Sequence, residues 1–122
     1  MRPLVTMRHA IEDKRLLGDM LEGPSWDAWK PLLIASRGEP LTEDERVLFE
    51  ARTGRQTPPT EPVDEVAAIS GRRSGKTVGA AVIGTYLSAL CDWSDVLRPG
   101  ERGVLLYLAQ TQRNGQSRVS LL

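Results

Sequence analysis

The sequence is poor in the residues that build disulfides, zinc sites and membrane spans. One cysteine, Cys91, and one histidine, His9, occur in 122 residues, which excludes an internal disulfide and leaves no Cys/His cluster for zinc. The longest apolar stretch, 78–90, falls short of the ~20 residues that cross a bilayer. The first twenty residues mix both charges and show no signal-peptide core. We therefore expect a soluble protein in a reducing, cytoplasmic setting.

The chain also has no net charge. The chain has 16 basic and 16 acidic residues, so it has no overall field that would attract nucleic acid or a membrane surface. His9 stands in a polar helical setting and is interpreted as a surface residue, so a His-based catalytic triad cannot be assembled. The length fits one small domain.

The first half of the sequence predicts helices. Apolar residues among charges indicate one helix over 7–21. A second helix is predicted after Ser25 as its N-cap, with Trp26 and Trp29 at helical spacing and in the core. Pro31 within that segment indicates either a kink or a later start.

A third helix has clearer end signals. Thr42 and Glu45 have the spacing of a capping box, and Gly54 stands where a C-terminal cap glycine is expected. The following segment, 54–62, is rich in proline and threonine and is predicted to be an extended connector. The helices and connector make up a first region over 1–62, followed by a second over 63–122.

The second region contains a candidate phosphate-binding loop. The usual pattern G-x-x-x-x-G-K-[ST] is met at Gly75, Lys76 and Thr77, while its first position holds Ser70 and the glycine comes one place later at Gly71. The loop is therefore a variant of the Walker A motif. It consists of Ser70, Gly71, Arg72, Arg73, Ser74, Gly75, Lys76 and Thr77.

Each residue type in this loop suits a nucleotide phosphate. The two glycines allow positive φ values, so successive N–H groups can converge on phosphate oxygens. Lys76 is expected to reach the β- and γ-phosphates of ATP, and the Thr77 hydroxyl to bind the bridging Mg²⁺. Arg72 and Arg73 add positive charge, although two adjacent arginines cannot both face one anion.

The flanking segments predict an α/β fold. Residues 66–69 are a short apolar run typical of a buried strand, 78–90 has the composition of a helix packed on a sheet, and 105–109 reads as a second buried strand. Together they predict a P-loop NTPase-type βαβ unit after N-terminal helices, within an incomplete parallel sheet. The alternative is an Arg/Gly-rich surface turn between a strand and a helix.

The motifs resemble a known family. The order Ser25-Trp26-x-x-Trp29, TEDERVLFEARTGRQTPP, EVAAISGRRSGKT and GVLLYLAQTQRNGQ is similar to the N-terminal ATPase region of the large terminase subunits of tailed bacteriophages and prophages. The similarity runs over most of 24–116. Members often carry a variant Walker A motif with an arginine four residues before the lysine, which is the position of Arg72.

The resemblance implies the ATPase domain of a viral DNA-packaging motor. Lys76 and Arg72 would be its catalytic residues, Thr77 its Mg²⁺ ligand, and ATP its nucleotide. The implied partners of the full motor are double-stranded viral DNA, the small terminase subunit, the portal and further copies of the chain, without a membrane. The family's Walker B strand, coupling motif and nuclease domain do not appear, so we expect a fragment that binds nucleotide rather than one that turns it over.

Two other interpretations stay open. One is a different P-loop NTPase or helicase-like protein whose N-terminal helices merely resemble those of terminase. The other is a non-catalytic prophage remnant or interaction module that lacks the activity. Nucleotide affinity separates the last interpretation from the first two.

Overall fold

Helix is the main secondary structure of the chain. A computed structural model describes residues 1–69 and 75–108, which contain four α-helices, two short 3₁₀ helices and two strands of two residues each. The elements are β1 (Arg2–Pro3), α1 (Met7–Glu12), the 3₁₀ helices Gly18–Leu21 and Pro24–Trp26, α2 (Trp29–Ser36), α3 (Glu43–Thr53), α4 (Lys76–Ala89) and β2 (Cys91–Asp92).

The described residues divide into two compact units. The first, called the helical unit below, comprises residues 6–69. The second, called the α4 unit, comprises residues 1–5 and 75–108. The chain thus starts in the α4 unit, passes through the whole helical unit and returns.

The core of the helical unit is built by α1, α2, α3 and the 3₁₀ segment after α1. Helix α2 contacts both α1 and α3, so it occupies the centre of the unit. Burial of these apolar side chains is the main contribution to the unit's stability. The buried apolar side chains are Met7, Ala10, Ile11, Leu17, Leu21, Leu33, Ile34, Ala35 and Phe49.

The first helix is shorter than the predicted 7–21. Thr6 caps it by accepting from the His9 N–H at 3.1 Å, and the helix ends at Glu12. The Asp13 carbonyl then accepts from the Leu16 and Gly18 N–H groups, and a Cβ at Gly18 would lie 2.9 Å from Asp13 backbone atoms. A tight turn that requires glycine therefore replaces the continued helix.

The other two predictions of helices in this unit are confirmed in their main points. Helix α2 starts late, at Trp29 with Ala28 as its N-cap, so the prediction of Ser25 as the N-cap is wrong; Ser25 and Trp26 lie in the 3₁₀ helix Pro24–Trp26. The late start puts Pro31 in the first turn of α2, where its missing N–H is tolerated. Trp29 is half-buried rather than fully buried. Helix α3 has the complete capping box of Thr42, and Gly54 closes it with φ of 71°.

Charged side chains tie α1 to the start of α3. Arg8 donates to both carboxylate oxygens of Glu45, at 2.5 and 3.0 Å, and to the Pro40 carbonyl at 2.9 Å. The Glu39 carboxylate accepts from the Met7 and Arg8 N–H groups, at 2.6 and 3.0 Å. Because the donors and acceptors are charged and partly buried, these bonds fix the relative positions of α1 and α3 more firmly than neutral ones would.

The α4 unit is organised around one 14-residue helix. Its N-terminal strap, residues 1–5, lies at the C-terminal end of α4. There β1 pairs antiparallel with β2, the Leu4 N–H donates to the Leu90 carbonyl at 2.9 Å, and the Tyr86 hydroxyl donates to the Val5 carbonyl at 2.8 Å. The buried residues of α4 are Gly79, Ala81, Val82, Gly84 and Tyr86.

The predicted parallel βαβ unit is wrong for the described residues. The only sheet among them is the antiparallel pair of β1 and β2, and the fold is mostly helical rather than α/β. The segments predicted as strands, 66–69 and 105–109, have no strand assignment at their described residues, 66–69 and 105–108; residue 109 lies outside the described part. Helix α4 itself is present, at Lys76–Ala89 against the predicted 78–90.

An apolar run indicates that a segment favours burial, but it does not specify a pairing partner. A strand also needs a neighbour whose backbone groups complete its hydrogen bonds. Val66 and Ile69 are exposed, as are Val104 and Leu106, so neither segment has acquired that neighbour. The described strands that do pair are Arg2–Pro3 and Cys91–Asp92, and neither sequence has a strand pattern.

Within the described ranges, no helix combines the length and apolar character needed to cross a membrane.

Candidate nucleotide-binding site

The start of α4 holds the described part of the candidate phosphate loop. Gly75 is the N-cap residue, with φ of 83° and ψ of 11°, and α4 begins at Lys76. A left-handed residue followed by a right-handed one turns successive N–H groups toward a common point, the arrangement known as an anion-binding nest. At this φ a residue other than glycine would be strained.

The N-terminal pole of α4 is not neutralised by the helix itself. Among the residues that the structure describes, no side chain caps it, and its first turn has no acidic residue. The first intrahelical bond closes from the Gly79 N–H to the Gly75 carbonyl at 2.9 Å, so the N–H groups of the first turn have no intrahelical acceptor. Those N–H groups and the helix dipole favour an anion at this position.

Helix α3 provides the contrast within the same chain. Its first turn carries Glu43, Asp44 and Glu45, and the Thr42 hydroxyl accepts from the Glu45 N–H. The negative charges and the cap satisfy the positive pole of α3 internally. The pole of α4 has neither, which is the condition that a site for an external anion requires.

Lys76 and Thr77 differ in exposure. Lys76 is exposed and Thr77 half-buried. Neither side chain makes a hydrogen bond or ion pair with the part of the chain that the structure describes. The Lys76 ammonium is therefore free to reach a ligand, as the motif requires.

Five of the eight predicted loop residues lie outside the described residues. They are Ser70, Gly71, Arg72, Arg73 and Ser74. The structure therefore brings together Gly75, Lys76 and Thr77, and the predicted role of Arg72 at the γ-phosphate stays a prediction.

Carboxylates of the α4 unit lie beyond the other end of the helix. Asp92, Asp95 and Glu101 follow Ala89 in the chain, while Lys76 begins α4; 14 residues of α-helix span ~21 Å. All three have local roles. Glu101 accepts from the Arg98 N–H at 2.9 Å. In the described residues, no group of three His, Cys, Asp or Glu side chains could hold a metal.

Hydrogen bonds keep the two aspartates ionised. The Ser94 N–H, which donates to Asp92 at 2.9 Å, lowers the pKa of the Asp92 carboxyl, and Arg2 contributes further. The N-terminal ammonium, which donates to the Asp95 carboxylate, lowers the pKa of Asp95. These carboxylates stabilise the strap and the following turn, and they are not placed to complete a Mg²⁺ shell around Thr77.

An open cleft of about 600 Å³ lies in the same region. It is mainly apolar and sits after the C-terminal end of α4, so it is distinct from the candidate phosphate loop. The Trp93 indole donates to the Leu87 carbonyl at 2.7 Å and forms part of its wall. The full lining is Leu4, Cys91, Asp92, Trp93, Ser94, Leu97, Arg98, Pro99 and Glu101.

Sequence reasoning missed the residues that fix α4 in place. Tyr86 anchors the strap, and Tyr107 donates to the Ala80 carbonyl at 3.2 Å beside Gly84. A signal was present in the small residues of α4, because Ala80 and Gly84 are one turn apart and leave a groove on one face. The sequence did not show which side chain fills it.

Comparison of the chain with protein-family models, with curated proteins and with solved structures gave no match in any of the three.

Proposed function

We propose that the chain is the ATP-binding part of a viral DNA-packaging motor of the terminase large-subunit type, and that it binds nucleotide without turning it over. The observation that carries the proposal is the coincidence of Gly75-Lys76-Thr77 with an N-terminus of α4 that no described side chain caps or neutralises. A left-handed Gly75, free first-turn N–H groups and an exposed Lys76 all suit a phosphate.

The motor part of the proposal depends on the resemblance of the sequence. It assigns Lys76 and Arg72 to the phosphates and Thr77 to Mg²⁺. The partners that it implies for the parent protein are double-stranded DNA, the small terminase subunit, the portal and further motor copies. The proposed location is the host cytoplasm, where phage DNA is packaged.

The absence of turnover follows from the position of the carboxylates. ATP hydrolysis needs a group that orients the attacking water and a carboxylate near the Mg²⁺ ion. Among the described residues of the α4 unit, Asp92, Asp95 and Glu101 lie beyond the opposite end of α4 from Thr77. We therefore expect no steady hydrolysis by this chain alone.

A calorimetric titration with ATP and ADP in Mg²⁺ buffer tests the proposal. We expect binding weaker than micromolar for the parent chain and a further loss of about tenfold or more for Lys76→Ala, since a charged contact to phosphate contributes about 1.5–3 kcal/mol. Helical circular dichroism should not change, because Lys76 is exposed. Lys14→Ala, an exposed lysine in the helical unit, is the matched control and should bind as the parent does.

Two results would contradict the proposal. Unchanged affinity of Lys76→Ala would show that the lysine does not contact the nucleotide. Micromolar affinity with steady phosphate release by the parent would show that the missing carboxylates are supplied within the chain.

One observation favours a second candidate, a non-catalytic interaction module. In the segments 66–69 and 104–107, which flank the loop and α4, Val66, Ile69, Val104 and Leu106 are exposed, and neither segment pairs with a described strand, as expected of a surface that binds another polypeptide. The same titration separates the candidates, because the interaction module should show no nucleotide binding in either the parent or the Lys76→Ala chain.

A further inference from the structure

Exposed apolar side chains are concentrated in two short segments of the chain. Of the large apolar residues that the structure shows as exposed, most lie in 66–69 and 104–108. Single exposed apolar residues are ordinary, whereas contiguous ones mark an interface. The residues are Val66, Ile69, Val104, Leu105, Leu106 and Leu108.

Backbone hydrogen bonds are also missing from most of this surface. Residues 66–69 and 103–107 lie in neither helix nor strand and make no backbone hydrogen bond to any described residue. A row of free N–H and C=O groups beside apolar side chains is a template for strand addition. Each segment therefore offers an edge that a strand can join.

One face of the second segment is already covered by α4. Leu105 and Tyr107 point to the groove at Gly84, where an added Cβ would collide with the Tyr107 hydroxyl and approach Leu105. Val104 and Leu106 alternate with them and are 86% and 72% exposed. Among the described residues, no strand lies beside this segment.

The first segment has the matching length, composition and charge. Asp64 stands two residues before Val66, and Arg102 stands two residues before Val104. When the segments are aligned in parallel with Val66 beside Val104, Asp64 lies beside Arg102, and Glu65 lies next to that pair. All three are exposed and make no ion pair among the described residues. An antiparallel alignment offers Asp64 no described basic partner.

We infer that two copies of the chain associate by reciprocal strand exchange, in which 66–69 of one copy pairs in parallel with 104–107 of the other. A reciprocal exchange uses both exposed segments of both copies, so the proposed assembly is a symmetric pair. The chain has equal numbers of basic and acidic residues, so no net repulsion opposes it. This inference does not depend on nucleotide binding.

Charge reversal with mixing tests the exchange. In the Arg102→Glu chain, the new glutamate faces Asp64 and Glu65 of its partner, and in the Asp64→Lys/Glu65→Lys chain the two lysines face Arg102. Each variant alone should dimerise about tenfold more weakly than the parent, because like charges replace opposite ones at both contacts. Mixed in equal amounts, the two variants form a heterodimer with opposite charges at both contacts, so dimerisation should return to the parent level.

Light scattering over a concentration series measures the association, and circular dichroism checks that each variant keeps its helices. Arg98→Glu changes the same charge in the same unit outside the extended segment and is the control, which should dimerise as the parent does. In the parent, hydrogen exchange at 66–69 and 104–107 should slow as concentration rises.

Three results would overturn the proposed strand exchange. A mixture that associates no more than its separate components would overturn the exchange, as would a parent chain that stays monomeric. Protection of both segments that is independent of concentration would place the pairing within one chain and would also overturn it. The hydrogen-exchange readout needs no variant, so it holds even if a substitution impairs folding.

Discussion

Tyr107 occupies the groove that Gly84 leaves on α4. The Tyr107 hydroxyl donates to the Ala80 carbonyl at 3.2 Å, and burial raises the pKa of Tyr107. A Cβ at Gly84 would overlap the hydroxyl and lie 3.0 Å from the ring carbon that bears it. This contact holds the segment around Tyr107, which pairs with no described strand, against α4.

This contact predicts that the effect of Gly84→Ala changes sign with the residue at 107. In the parent, the methyl group displaces the tyrosine, so we expect a loss of about 1–3 kcal/mol in the free energy of unfolding. In a Tyr107→Ala chain the main obstruction is gone and only Leu105 Cδ2, at 3.1 Å from the Cβ position, has to shift, so alanine should stabilise the helix by up to ~1 kcal/mol. Urea denaturation of the four chains of this double-mutant cycle measures both values. Equal effects of Gly84→Ala in both backgrounds would show that the two residues do not interact.

A second prediction concerns the strap. Tyr86 is buried, and its hydroxyl donates to the Val5 carbonyl at 2.8 Å. Tyr86→Phe leaves that carbonyl without this donor and should lower the free energy of unfolding by about 1 kcal/mol. Hydrogen exchange at the Leu4 N–H, which is bonded to the Leu90 carbonyl, should accelerate. Unchanged exchange at Leu4 would indicate that the strap is held without Tyr86.

A third prediction is acid sensitivity of the helical unit. Arg8, which donates to the Glu45 carboxylate, lowers the pKa of Glu45 below its ordinary value of 4.5. The folded state therefore favours the ionised form. The resulting stability is complete above the unfolded-state pKa, and it is lost as pH falls through 4.5 and then through the folded-state pKa.

Thermal unfolding between neutral pH and pH 3 tests this prediction. The parent should lose stability through the acid range, and Glu45→Gln should be less stable at neutral pH and show a flatter pH dependence. Glu43→Gln removes a carboxylate from the same helical turn and is the control. If Glu43→Gln flattened the profile as much as Glu45→Gln, the ion pair with Arg8 would not be its cause.

A fourth prediction addresses the candidate site directly. Gly75 has φ of 83° at the N-cap of α4, so Gly75→Ala should lower the free energy of unfolding by about 1–2 kcal/mol and should weaken Mg²⁺-dependent ATP binding beyond that. Gly23 is also left-handed, with φ of 97° and open space at its Cβ position. Gly23→Ala therefore imposes comparable strain away from the site and should leave nucleotide affinity unchanged. Equal affinity of the Gly75→Ala chain would exclude a phosphate nest at this glycine.

The sequence by itself determined the elements whose signals are local. The capping box of Thr42 and the cap glycine Gly54 were predicted and are present, and α4 starts at Lys76, two residues before the predicted start. Helix ends follow from side-chain to backbone hydrogen bonds within a few residues and from the φ that glycine permits. For the same reason Gly75, Lys76 and Thr77 could be assigned to one helix terminus.

Tertiary structure decided everything that depends on a distant partner. Arg2–Pro3 pairs with Cys91–Asp92, and Tyr107 packs at Gly84; both contacts join groups that are distant in the sequence. The strand predictions at 66–69 and at the described part of 105–109 failed because a strand exists only when a second backbone completes its hydrogen bonds. Apolar composition states that a segment favours burial, and only the folded chain decides what buries it.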